Sequence, residues 1–124
     1  MPKQCKVAKS SEFSELKPIF VDLDGSRVAV YQFRGKYYAY ANQCPHQAGP
    51  ACEGIVIGNS EAEILGGGRV REYSSEDNMN IVCPWHGVEF DLKTGVCRAD
   101  PRYRLRSYQT IVKDDEISIV GRDT

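Results

Sequence analysis

The chain has 124 residues, with 16 basic and 17 acidic side chains and 41% hydrophobic residues. That length suits one domain able to bury roughly two-thirds of its unfolded surface, so folding depends on neither disulfides nor metal. A net charge of −1 excludes a general attraction to nucleic acid or to an acidic membrane surface, and the composition excludes collagen, coiled-coil and mucin-like classes.

Residues Met1 to Phe13 are polar and lacking in the apolar core of a signal peptide. No apolar run is long enough to span a bilayer. Five scattered cysteines, an odd number, argue against a secreted disulfide scaffold. The expected setting is cytoplasmic, without membrane or nucleic-acid partners.

The periodicity is that of strands. Arg27 to Phe33 is rich in β-formers, turns at Arg34-Gly35 and continues as Lys36 to Tyr40, a hairpin whose second strand leads toward Cys44. Gly54 to Asn80 reads as an ordered excursion, either with a helical turn opened by Ser60 and Glu63 or as paired strands; Arg69 to Tyr73 alternates like a strand. Val88 to Leu92 alternates, turns at Lys93-Thr94-Gly95 and resumes at Val96 to Arg98. Leu105 to Val112 and Ile117 to Val120 flank a third hairpin turn at Lys113-Asp114-Asp115. Short strands punctuated by turn residues predict an all-β fold, an antiparallel sandwich or barrel. No linker or repeat divides it, so residues 1–124 are expected to form one domain.

Both histidines fall in two short segments of matching design, Cys44-Pro45-His46 and Cys83-Pro84-Trp85-His86, each just after a predicted strand. Thiolate and imidazole are ligands for zinc, iron and iron–sulfur centres, and loops this tight let both side chains converge on one point. The proline after each cysteine fixes the chain direction, and Gly49 and Gly87 let the backbone pass close by. Zinc sites generally pair cysteine with cysteine and histidine with histidine, whereas each loop here supplies one of each. That mixture suits a [2Fe–2S] cluster in which two thiolates hold one iron and two imidazoles the other.

With these spacings the chain resembles the Rieske iron–sulfur family, in which Cys-x-His is followed by Cys-x2-His. Further matches are Gly49-Pro50 after the first pair, then His86-Gly87, Phe90-Asp91 and Thr94-Gly95 after the second. The stretch Cys83 to Gly95 looks like that of ferredoxins serving aromatic-ring oxygenases. The resemblance implies a Rieske-like β-sandwich or barrel whose tip is made of two cluster-binding loops. It implies that Cys44 and Cys83 ligate the buried iron and His46 and His86 the exposed one. It also implies a monomeric one-electron carrier between a flavin-dependent ferredoxin reductase and a terminal oxygenase. The small subunit of an assimilatory nitrite reductase is the alternative within electron transfer, and a structural zinc-binding interaction module the alternative from another class. His46 and Cys83 are separated by 36 residues, about twice the family's usual spacing, so an insertion is expected within residues 54–80.

High-potential Rieske proteins carry a disulfide at the positions of Gly49 and Trp85, and a serine and a tyrosine where Val88 and Phe90 stand. Their absence implies a low-potential centre. With both histidines used as ligands, no two-histidine, one-carboxylate oxygenase site can be assembled, so the chain is not expected to be the enzyme of the system. Cys5, Cys52 and Cys97 are expected to be inert thiols. Arg102, Arg104 and Arg106 share one face of an extended segment, either a solvated edge or a surface for an acidic partner.

Overall fold

The computed structural model describes residues 4–23, 25–45, 49–84 and 87–121. Nine strands are found among them: β1 (Gln4–Lys9), β2 (Ile19–Leu23), β3 (Ser26–Phe33), β4 (Lys36–Ala41), β5 (Val56–Gly66), β6 (Arg69–Val82), β7 (Glu89–Asp91), β8 (Ser107–Lys113) and β9 (Glu116–Val120). Six form an antiparallel sheet in the order β1-β9-β8-β4-β3-β2, whose end strands approach each other so that the sheet curls into a nearly closed barrel. The other three form a smaller sheet in the order β5-β6-β7. The all-β architecture is therefore the one the strand periodicity predicts.

Two of the predicted hairpins close through two-residue turns with positive φ at both positions, Arg34 (50°) with Gly35 (76°) and Asp114 (51°) with Asp115 (64°). That backbone matches the twist of the flanking strands. The hairpin after β7 is shorter. Asp91 accepts from the Thr94 hydroxyl at 2.9 Å, the Gly95 amide donates to the Asp91 carbonyl at 2.7 Å, and Phe90 bridges Cys97.

β3 is covered on both faces. Val28 and Val30 point into the barrel with Ala39, Tyr108, Ile117 and Ile119, whereas Ala29, Tyr31 and Phe33 point to a second core shared with the smaller sheet. Alternate residues of one strand thus serve two cores, which is why Val28 to Tyr31 is an unbroken apolar run rather than an alternating one. The second core holds Ile81, Phe90, Leu92 and Leu105, all fully buried and each contributing about 2 kcal/mol.

Strands β1 and β2 were not among the predicted elements. β1 pairs with β9 with a bulge between Lys6 and Ala8, and β2 pairs with β3 from Ile19–Val30 to Leu23–Ser26. The ambiguous middle segment is a long hairpin, not a helical turn: Ser60 faces Ser74, and Glu63 faces Arg71 and forms an ion pair with it across the strands. Its root is clasped by Arg34, which pairs with Asp77 and donates to the Glu76 carbonyl at 3.0 Å. Beyond that clasp Ile64, Leu65 and Val70 are exposed. β6 measures roughly 40 Å from the Gly66–Gly68 turn to the residue before Cys83, so the hairpin tip points away from the second loop along the ribbon.

Candidate metal centre

β4 delivers the chain to the first loop and β6 delivers it to the second. The Cys44 amide donates to the Gly49 carbonyl at 2.7 Å, and the Cys83 amide donates to the Val88 carbonyl at 2.8 Å. Each loop is therefore closed by the same bond, from a cysteine amide to the carbonyl five residues on. Pro45 and Pro84 sit on the exposed side of these closures. Gly87 has φ of +65°, a conformation that side chains disfavour, and allows the second loop to turn back. His46 and His86, with Trp85, lie outside the described residues.

Cys44 and Cys83 are both buried, and both belong to the core that includes Ala51, Cys52, Ile81 and Phe90. The fold thus gathers into one apolar cluster two cysteines that lie in separate loops. Gly54 accounts for how the loops approach. A Cβ at this position would fall 1.9 Å from the Val82 carbonyl oxygen, and the Val82 amide donates to Ile55 at 2.9 Å. The strand entering Cys83 lies directly against the segment leaving the first loop.

Asn42, which the sequence reading passed over, fixes the first loop from beneath. Its amide donates to the Arg27 carbonyl at 2.8 Å, its side-chain oxygen accepts from the Cys52 amide at 2.8 Å, and its side-chain nitrogen donates to Glu53 at 2.7 Å. An asparagine immediately after a strand and two residues before a ligand-type cysteine was the available signal, since its amide can join two backbone segments at once.

Cys52 lies near Cys83 without completing a site: among the described residues, no three potential ligands group around a point. Burial pushes its thiol up to about 12, the Tyr31 hydrogen bond opposes this, and Cys83 and Glu53 add to it. The thiol stays neutral near pH 7. The Tyr31 hydroxyl also donates to the Cys52 carbonyl at 3.3 Å. Cys97 is likewise buried, in the short hairpin after β7.

The three arginines separate. Arg102 is engaged by Asp100 through two hydrogen bonds, at 3.0 and 2.8 Å, whereas Arg104 and Arg106 line an open cavity beside the first loop. Val88, half-buried, and Phe90, fully buried, pack in and against the core beneath the second loop, and neither carries a hydroxyl. Two buried thiols on identically closed loops fit the cysteine half of a two-thiolate, two-imidazole donor set.

Comparisons with known proteins agree. Apoptosis-inducing factor 3 of Mus musculus is 27% identical over 100 residues, covering 80% of this chain but only 13% of that protein. The chain therefore spans about an eighth of that relative's length. The 3-phenylpropionate/cinnamic acid dioxygenase ferredoxin subunit of Photorhabdus laumondii is 28% identical over 96 residues, covering 74% of this chain and 70% of that one. Among solved structures, the ferredoxin of carbazole 1,9a-dioxygenase from Nocardioides aromaticivorans has a TM-score of 0.69 at 24% identity, covering 99% of each chain. A protein described as the small subunit of an NADH-dependent nitrite reductase from Mycobacterium tuberculosis has a TM-score of 0.73 at 22% identity, covering 100% of this chain and 99% of that one. Both structural likenesses concern the fold. Residues 3–109 match the Rieske [2Fe–2S] domain, and the chain belongs to that family: it is a Rieske electron-carrier domain whose cofactor is a [2Fe–2S] cluster.

Proposed function

We propose that the chain is a one-electron carrier whose cluster is held by Cys44, His46, Cys83 and His86, and that it passes electrons from an NAD(P)H-dependent flavin reductase to a terminal oxygenase. The identical closure of the two cysteine loops carries the ligand assignment, because each loop then presents one thiol to the same buried cluster. When bound, the group accepts and releases a single electron. The chain's own residues hold the thiols in an apolar setting at Ile81 and Phe90, brace the first loop through Asn42 and bring the loops together at Gly54. The similarity to a dioxygenase ferredoxin subunit over 70% of that subunit's length favours an oxygenase as the acceptor. In this reading residues 1–124 act as one monomeric Rieske domain in the cytoplasm, with β5 and β6 carrying the insertion of residues 54–80. Among the described residues, no helix is long and apolar enough to cross a membrane.

Anaerobic expression with iron supplied tests the ligand set. The expected product is brown, contains acid-labile sulfide and, once reduced, gives the low average g-value of a two-histidine cluster. His46→Cys or His86→Cys should shift that signal toward the value for four thiolates. A colourless protein with stoichiometric zinc would overturn the reading. Reconstitution with candidate reductases and oxygenases, read as NAD(P)H-dependent electron transfer, tests the partners.

A further inference from the structure

The barrel mouth next to the first loop holds an open cavity of about 690 Å³, walled in part by Ser26, Arg27, Gln43, Pro45, Arg104 and Arg106. No aspartate or glutamate lines it among the described residues. Its three arginines come from distant parts of the chain, Arg27 on β3 and Arg104 and Arg106 on the segment entering β8, and the pairing of β4 with β8 brings them together. The Ala41 amide donates to the Arg106 carbonyl at 2.9 Å, and the Asn42 amide to the Arg27 carbonyl at 2.8 Å, so both arginines are tied to the strand end that leads into Cys44.

Two of the guanidinium groups lie over aromatic rings. Arg27 lies 4.8 Å over Phe20 and Arg106 lies 5.5 Å over Tyr108. A ring beneath a guanidinium restrains it by cation–π attraction, and its N–H groups can serve a bidentate acceptor. Among the described residues none of the three forms an ion pair, although the exposed Arg102 two positions from Arg104 is paired with Asp100. Three cations gathered in a concavity with no acidic side chain among its described lining residues repel one another and gain from an anionic occupant. A solvated edge would not need the concavity or the rings beneath two of its arginines.

We infer that this cavity is the docking site for a carboxylate-rich segment of the protein that exchanges electrons with the cluster. The inference rests on the carrier reading above. Its position beside Pro45 would bring such a segment against the first ligand loop, and the overall charge of −1 means that long-range attraction must come from a local patch of this kind.

The test uses the full-length, cluster-loaded protein and an N-acetylated hexaglutamate peptide as the probe, with binding followed at low salt by NMR or anisotropy. Expected is a dissociation constant below about 1 mM that weakens steeply with added salt. The double variant Arg104→Gln/Arg106→Gln should bind at least about tenfold more weakly, with an unchanged cluster spectrum and melting temperature. Arg102→Gln, which removes one charge outside the cavity against the double variant's two inside it, should leave affinity within about twofold. Absence of peptide binding, or equal weakening by Arg102→Gln, overturns the inference. So does inorganic phosphate binding as tightly as hexaglutamate, which would make the cavity a small-anion site. Peptide binding by a protein that, expressed anaerobically with iron, holds stoichiometric zinc and no [2Fe–2S] cluster would instead defeat the carrier reading and leave the cavity's chemistry standing.

Discussion

Gly54 lies so close to Val82 that a single added carbon would sit 1.9 Å from the Val82 carbonyl oxygen. Its φ is −84°, which any residue can adopt, so the requirement is for space rather than for backbone freedom. The contact joins the exit of one loop to the entrance of the other. Gly54→Ala must push the strand entering Cys83 away and is expected to cost about 3 kcal/mol. Thermal melting should fall by roughly 10 °C, together with cluster occupancy measured as iron and sulfide per chain. Full occupancy at an unchanged melting temperature would show that the loops approach in another way.

Tyr40 makes stability depend on pH. Its hydroxyl donates to the Leu92 carbonyl at 2.5 Å, and burial, followed by nearby Asp91, pushes its pKa upward. Tyr31 is shifted the same way, chiefly by burial. A phenol raised in the folded state contributes stability that is fully present below its unfolded value near about 10 and is lost as pH rises through the folded value. Above pH 10 each group should therefore remove about 1.4 kcal/mol per pH unit. Tyr40→Phe should cost about 1 kcal/mol at pH 7 and reduce the alkaline slope. Urea unfolding between pH 9 and 11 measures both, and an unaltered slope would rule Tyr40 out as a contributor.

The second loop predicts the reduction potential. Val88 and Phe90 offer no hydroxyl to cluster sulfur or thiolate, so the potential should lie near about −150 mV rather than about +300 mV. The double variant Val88→Ser/Phe90→Tyr should raise it. Protein-film voltammetry reads both values, and a native potential above about +100 mV contradicts the assignment.

The outer part of the β5–β6 hairpin should be dispensable. Ser60 and Ser74 face each other, so joining them by Asn-Gly removes Glu61 to Tyr73 and keeps the Arg34 clasp on Asp77. The shortened chain should retain its cluster signal and potential and melt within a few degrees of the parent. It should also be more soluble, since Ile64, Leu65 and Val70 are removed. Loss of the cluster would show that the ribbon supports the loops from a distance.

The two cysteine loops were legible in the sequence because their chemistry is local, two ligand types within four residues. The β3–β4 and β8–β9 hairpins were legible through β-rich runs broken by Arg34-Gly35 and Asp114-Asp115. β1 was not, because its alternation from Gln4 to Val7 lasts only four residues before the bulge at Ala8, and its partner β9 lies at the other end of the chain. The middle segment stayed ambiguous for a physical reason: over most of its length the hairpin buries little, so beyond the short alternation of Arg69 to Tyr73 burial imposes no face-dependent pattern on it. Gly54 against Val82, Asn42 under Cys52 and Arg27 beside Arg104 are tertiary relationships that no local spacing encodes.

β3 places Val30 in one core and Tyr31 in the other, one residue apart. A fluctuation that exposes either side chain must lift the same backbone and open both interiors together. The amides of these two residues should therefore exchange with solvent only through global unfolding, and the end of the molecule that holds the cluster cannot melt while the barrel stays intact. Cofactor retention and overall stability are tied together by a single strand.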